Sequence, residues 1–200
     1  MKRIVIVVII LVLALGVSVF TLTQKNDTPQ AQKIGSSAQG QPSPDSIKNN
    51  GFSNLDSFSG NTLDGGAFTS ENLKDYDLTV INIWGTFCPP CRAEMPELAS
   101  FANSLPSRIQ FITICTDATG NTGSAKKILS DAGFNGVTLV SGDDQLVKLV
   151  NKIQYVPTTL FYDSNGICVG EEIIGSPQNL RETYTTYINN ILSAMNKETI

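Results

Sequence analysis

The 200-residue sequence contains no histidine. A Ser-His-Asp triad, a Cys-His protease and haem attachment through Cys-x-x-Cys-His are therefore excluded, because each depends on an imidazole. Cysteine is sparse: four in this length are too few for a disulfide scaffold. Positive charge is also short. The 14 Lys and Arg against 18 Asp and Glu leave a net charge of −4 and no basic stripe, so there is no footprint for nucleic acid. Zinc takes four ligands, usually from Cys and His; without His, and with a single Cys-x-x-Cys pair, no metal site is expected. What remains is ordinary globular composition, 41% hydrophobic, enough for one domain of usual size plus extra segments.

The N-terminus carries the first extra segment. Met1-Lys2-Arg3 precedes an uncharged apolar run from Ile4 to Phe20, and the next positive charge is Lys25. This asymmetry keeps the N-terminus in the cytoplasm and exports the rest of the chain. The run nearly reaches spanning length, which favours an uncleaved signal anchor over residues 1–23. The alternative is a signal cleaved at Ala14-Leu15-Gly16, which lies deep in the apolar run. Residues 24–50 are rich in Gln, Ser, Asn, Pro and Gly, the composition of a disordered tether. The folded domain is expected over residues 51–195.

Within that domain, Leu78–Ile83 is a β-branched apolar run that reads as a buried strand. Beyond Cys91, Met95, Leu98, Ala99 and Ala102 recur at helical spacing. Cys88-Pro89-Pro90-Cys91 therefore sits where a strand gives way to a helix, with Cys88 at or near the N-cap. Helix N–H groups without partners and the helix dipole favour a thiolate there. The Cys88 pKa is expected below the free value of about 8.5. Cys91 comes about one turn later, within reach of a mixed disulfide on Cys88. Pro89 and Pro90 fall in the first turn, where a missing N–H costs little.

The stretch Trp84-Gly85-Thr86-Phe87-Cys88-Pro89-Pro90-Cys91-Arg92-Ala93-Glu94-Met95-Pro96 resembles the TlpA/ResA group of thioredoxin-fold thiol–disulfide oxidoreductases. Those proteins are membrane-anchored and extracytoplasmic. The resemblance extends over roughly Phe52 to Met195. It implies an α/β fold with a central mixed sheet flanked by helices, an N-terminal β-hairpin extension and an insertion before a cis-proline loop.

The rest of the chain accommodates that plan. Gly60-Asn61 and Asp64-Gly65-Gly66 are turn signals for the hairpin, and Thr69–Leu73 reads as a helical turn. The active-site helix is expected to end near Leu105-Pro106. Ile109–Thr116 reads as the second strand, Thr119–Thr122 as a turn, and Ala125–Ala132 as a helix stopped by Gly133. Next come a short strand at Val137–Val140 and a helix at Gln145–Asn151. Tyr155-Val156-Pro157-Thr158 resembles the cis-proline loop. After it come a strand, a Ser164-Asn165-Gly166 turn, a strand over Ile167–Ile174 and a last helix. That helix is opened by Gly175-Ser176-Pro177 and buries a face from Leu180 to Leu192.

The resemblance also implies roles. Cys88 and Cys91 form the redox disulfide. Trp84 and Phe87 wall the thiol pocket, although the family often has a second Trp at the position of Phe87. Val156 and Pro157 present the substrate, leaving the Val156 backbone to pair with an extended peptide. Thioredoxins carry a buried Asp two positions before the Trp; Asn82 stands there and cannot titrate. Glu94, three residues after Cys91, is the candidate to take its proton. Glu97 and Arg92 read as exposed. Cys115 and Cys168 read as buried small apolar residues on strands at opposite edges of the sheet.

The expected function is a membrane-anchored extracytoplasmic reductase of protein disulfides, in one version acting in cytochrome c maturation, with no cofactor. Its partners would be disulfide- or thiol-bearing extracytoplasmic proteins, a membrane thiol electron donor, and the membrane itself through the N-terminal helix. The alternatives are a peroxidase-type antioxidant, for which the Pro-x-x-x-Thr-x-x-Cys loop is absent, and a non-catalytic binding module on the same fold.

Overall fold

The computed structural model of the chain describes residues 51–200. The expected anchor and tether fall outside the described residues. Among the described residues no helix is long and apolar enough to cross a membrane.

Strand β1 (Ser59–Thr62) and strand β2 (Ala67–Thr69) form the hairpin, and a 3-10 turn comes after them at Ser70–Leu73. Then come β3 (Leu78–Trp84), α1 (Pro89–Asn103), β4 (Ile109–Cys115), α2 (Ala118–Ala132), β5 (Thr138–Gly142) and α3 (Asp144–Lys152). The chain ends with β6 (Thr158–Tyr162), β7 (Ile173–Ile174) and α4 (Leu180–Ala194). The strands form one mixed sheet in the order β2-β1-β5-β4-β3-β6-β7. β3, β4 and β5 run parallel, and β6 lies antiparallel to β3.

Seven of seven β3 residues are buried, as expected of a strand covered on both faces. Alternation sorts them. Leu78, Val80 and Trp84 join a core with α1, α2 and α4. Ile81 and Ile83 join a second core with α3 and the hairpin. Asn82 shares the face of Val80 and Trp84 by the period of two, so its amide points toward the helices that carry the cysteines and Tyr184.

Several expectations need correction. Gly60-Asn61 lies inside β1 rather than in a turn, and the chain reverses after Thr62, where the N–H of Gly65 donates to the Thr62 carbonyl at 3.0 Å. Helix α1 ends at Asn103, before Leu105. Thr119–Thr122 belongs to α2, which starts at Ala118 and is interrupted only at Asn121 (φ −134°, ψ 30°). The strand drawn over Ile167–Ile174 is broken. Cys168 makes an isolated bridge to Tyr162, Gly170 turns the backbone at φ 70°, and pairing resumes only at Ile173–Ile174. Cys115 and Cys168 do not lie on opposite edges. Cys115 ends the interior strand β4, and Cys168 lies beside β6. Both are buried thiols. Helix α4 begins at Leu180, past Pro177, with Asn179 as its N-cap.

Candidate active site

β3 and α1 meet at the Cys-x-x-Cys pair. The N–H of Cys88 donates to the Gly85 carbonyl at 3.1 Å, closing a turn between strand and helix. Cys88 is the N-cap of α1, with extended backbone (φ −89°, ψ 108°), and Pro89 and Pro90 open the helix. The N–H of Cys91 donates to Cys88 Sγ at 3.2 Å. The sulfur thus takes the place of the oxygen that usually caps a helix. The two cysteines are joined by a disulfide, with Cα atoms 5.3 Å apart. Cys88 keeps 4% of its surface exposed and Cys91 none. Only Cys88 is reachable from solvent.

Opposite the pair lies the loop before β6. The Val156–Pro157 peptide bond is cis. The Val156 carbonyl oxygen is 3.4 Å from Cys88 Sγ; in the disulfide that sulfur carries no proton, so the contact leaves the carbonyl's acceptor capacity unused in the oxidised protein. The Val156 N–H makes no backbone hydrogen bond among the described residues. After reduction the two neighbours of Cys88 act in opposite senses. The Cys91 N–H favours a thiolate, whereas the Val156 carbonyl favours a thiol that donates to it.

Trp84 and Phe87 part company. Trp84 is wholly buried in the core that holds both cysteines, and its indole N–H has no hydrogen-bond partner. It backs the pair from inside the fold and does not line an open pocket. Phe87 is 67% exposed, with its ring folded against Gly85. Tyr155, the residue before Val156 in the chain, is 66% exposed. Sequence reasoning missed Tyr155; an aromatic adjoining the cis-proline motif was the available signal.

Glu94 is 5% exposed on α1, one turn beyond Cys91 and on the same helix face. Burial pushes its carboxyl up to about 7, opposed by hydrogen bonds from Ser176 and Asn82 and reinforced by the charge of Glu97. Asn82 Nδ2 lies 3.4 Å from Glu94 Oε1, 3.1 Å from Thr159 Oγ1 and 3.4 Å from the Tyr184 hydroxyl. Thr159 and Tyr184 share a further hydrogen bond of 2.7 Å. Desolvation first, and the Glu94 charge second, hold the Tyr184 hydroxyl well above its ordinary range. Thr159 and Tyr184 were also missed. The register gives Thr159, which stands directly opposite Asn82 in the β3–β6 ladder. Arg92 and Glu97 are exposed, as expected.

A helix-capping Cys-x-x-Cys disulfide, with only Cys88 reaching the surface and facing a cis-proline loop, on a mixed sheet of this order, defines a thiol–disulfide oxidoreductase of the thioredoxin fold. The Redoxin family matches residues 38–186, and the chain belongs to that family. The soluble secreted antigen MPT53 of Mycobacterium tuberculosis is 26% identical over 141 residues, 70% of this chain and 69% of that protein. A thiol:disulfide interchange protein, a DsbE homolog of Paracoccus denitrificans, is 29% identical over 98 residues, 49% of this chain and 51% of that protein. A thiol:disulfide interchange protein of Chlorobium tepidum, a thioredoxin family protein of solved structure, superposes with a TM-score of 0.53 at 25% identity. That superposition covers 66% of this chain and 94% of the other.

Proposed function

We propose that the protein is an extracytoplasmic reductase of protein disulfides, held at the membrane by residues 1–23 on a tether of residues 24–50. In this reading the Cys88 thiolate attacks one sulfur of a substrate disulfide. A Cys88–substrate mixed disulfide forms and one substrate thiolate leaves, taking up a proton. The Cys91 thiol gives its proton to Glu94 and the resulting thiolate attacks Cys88 Sγ, which closes the Cys88–Cys91 disulfide and expels the second substrate sulfur as a thiolate that takes up a proton from water. Two electrons pass from the protein to the substrate. A membrane dithiol carrier returns them by the reverse exchange. Val156 and Pro157 hold the substrate strand, Phe87 flanks it, and Trp84 packs behind the sulfurs. Cytochrome c thiols are one fitting substrate class.

The observation that carries the reading is the accessible Cys88 sulfur at the head of α1, accepting from the Cys91 N–H at 3.2 Å, with Cys91 buried behind it. The asymmetry separates an attacking from a resolving sulfur. An electropositive, partly exposed setting is where reactive cysteines occur. The direction toward reduction and the membrane anchor draw support from the TlpA/ResA resemblance. The extracytoplasmic placement draws further support from the charge asymmetry around Ile4–Phe20 and from a relative named as secreted.

The test is reduction of a protein disulfide by the prereduced protein, with Cys88→Ser and Cys91→Ser alongside. Cys88→Ser should lose turnover. Cys91→Ser should accumulate a mixed disulfide through Cys88. Undiminished turnover in Cys88→Ser would overturn the mechanism, and a Cys88–Cys91 potential near the oxidising end of the range, about −120 mV, would reverse the direction.

A further inference from the structure

Thr86 lies in the turn that delivers Cys88 to the head of α1, and it is gripped from outside that turn. Its N–H donates to Asp117 Oδ1 at 2.8 Å, and its hydroxyl donates to Asp117 Oδ2. Asp117 is the N-cap residue of α2, yet its side chain makes no cap hydrogen bond. An aspartate at this position ordinarily accepts from the N–H groups of its own helix. Here the carboxylate turns across to the β3–α1 turn instead. Two further donors reach it: Asn121 Nδ2 at 3.1 Å and the Cys115 thiol at 3.4 Å. The preceding residue completes the clasp. The N–H of Thr116 donates to the Trp84 carbonyl at 2.9 Å, and the Thr116 hydroxyl reaches the same oxygen at 3.2 Å. The turn from Trp84 to Cys88 is thus held at its first residue by Thr116 and at its middle by Asp117.

We infer that Asp117 is a positioning residue for thiol–disulfide exchange: by holding both donors of Thr86, its N–H and its hydroxyl, it fixes the Gly85–Cys88 turn that sets the Cys88 sulfur at the helix head. The inference rests on the assignment of Cys88 as the attacking sulfur. The carboxylate stays ionised in this role. Partial burial raises its pKa, but the hydrogen bonds from Thr86 and Cys115 outweigh that and leave it below the ordinary value. The same contact keeps Cys115 a donor thiol, pushed up to about 12 by burial first and by Asp117 second, and so outside the exchange chemistry. Asp117 touches no reacting atom. It acts through the backbone of Thr86.

Position and charge predict opposite signs, which makes the inference testable. If the turn loosens, the Cys88 sulfur loses its place against the Cys91 N–H, and its pKa rises. If the carboxylate acted only as a nearby negative charge, its removal would lower that pKa. The experiment compares the wild-type protein with Asp117→Ala, Asp117→Asn and Thr86→Val. The readouts are the Cys88 pKa, from the pH dependence of alkylation, and the equilibrium constant of the Cys88–Cys91 pair with glutathione. Asp117→Ala should raise the Cys88 pKa, shift the equilibrium toward the disulfide, and slow attack on a protein disulfide at pH 7 by about tenfold. Asp117→Asn keeps an acceptor for the Thr86 N–H and should recover part of the loss. Thr86→Val removes one of the two bonds from the other partner and should shift both readouts the same way by less; it stands in should Asp117→Ala fail to fold. A lowered Cys88 pKa in the Asp117 variants overturns the positioning role. So do unchanged pKa and equilibrium constant in both Asp117→Asn and Thr86→Val. If the wild-type pair itself exchanges no electrons with glutathione, the Cys88 assignment fails as well, a result distinct from either of these.

Discussion

Asn82 and Glu94 face each other across the buried interface between β3 and α1, with Asn82 Nδ2 3.4 Å from Glu94 Oε1. By geometry Asn82 Oδ1 has no hydrogen-bond partner, and Glu94 Oε2 has none within hydrogen-bond distance; the Ser176 hydroxyl affects the carboxyl only as a weaker neighbour. A neutral carboxylic acid suits that setting better than a carboxylate, because only the acid can donate a proton through its second oxygen. Ionisation inside the fold lacks the hydration it would have in water. Burial, only partly offset by the hydrogen bonds from Ser176 and Asn82, raises the Glu94 pKa to about 7, near the midpoint between its two protonation states at neutral pH, one helical turn from Cys91.

Stability should depend on pH through this carboxyl. Its ordinary value of 4.5 applies to the unfolded chain, and the folded value is about 7. Below pH 4.5 both states are protonated and Glu94 does not disfavour folding. Between pH 4.5 and 7 the unfolded chain ionises first, so stability falls as pH rises, and the loss is complete above 7. A shift of this size corresponds to roughly 3 kcal/mol. Glu94→Gln should be more stable than the wild type by that order at pH 8 and close to it at pH 4, measured by urea unfolding of the oxidised protein. An equal offset at both pH values would remove the ionisation argument.

The same carboxyl gives the resolving step its pH profile. If Glu94 takes the proton of Cys91, the step needs the carboxylate, and its rate should rise through an inflection near pH 7. Replacement by Gln should remove that inflection and slow release of substrate from Cys88 by about a hundredfold, the low end for general base catalysis. Quenching single turnovers at increasing times tracks the mixed disulfide directly. Should Glu94→Gln keep both inflection and rate, the proton goes elsewhere.

One of the backbone contacts that moor the segment before the hairpin is close. The N–H of Leu55 donates to the Gly166 carbonyl at 2.7 Å. Gly166 has φ 72°, and a Cβ there would lie 2.5 Å from the Leu55 carbonyl oxygen. Gly166→Ala therefore meets both a left-handed backbone and a clash with main chain that cannot rotate away. It should cost about 1–3 kcal/mol and raise amide exchange at Leu55, read by chemical denaturation and hydrogen exchange. Wild-type stability in Gly166→Ala would mean that the segment is not moored there.

What the sequence made legible was local. Cys88 as N-cap, the two prolines of the first turn and the β-branched run before them are signals carried by adjacent residues. The partners of Glu94 are not of that kind. Tyr184 sits among apolar residues at helical spacing, so periodicity counts it as packing, and its bond to Thr159 spans 25 positions. The role of Asp117 was not legible either, because its partner Thr86 lies 31 residues back in the chain. The first turns of α2 were hidden for another reason: Thr119, Gly120, Asn121, Thr122, Gly123 and Ser124 offer no apolar repeat, since that stretch faces mostly solvent. Gly170 broke an expected strand because a positive φ cannot be read from an isolated glycine.

Two exposed aromatics, one preceding Cys88 and one preceding Val156 in the chain, separate recognition from chemistry. Phe87 is 67% and Tyr155 66% exposed, so serine at either position should change stability by no more than about 0.5 kcal/mol. Neither ring contributes a proton or an electron to exchange at Cys88. Each adds a rigid apolar surface beside the strand that Val156 would hold. Tyr155 also borders a groove of about 280 Å³, with Thr158, Ile153 and Ile174 along it. Aromatic anchors of this kind carry much of an interface's binding energy, about 2 kcal/mol each where they are fully used. Phe87→Ser and Tyr155→Ser should therefore raise KM for a protein disulfide by about tenfold, with kcat little changed. Reduction of a small aromatic disulfide reagent, which cannot span both rings, should proceed at the wild-type rate. Equal losses on both substrates would mean that the rings shape the sulfur site itself, and no loss on either would mean that substrates approach Cys88 from another side.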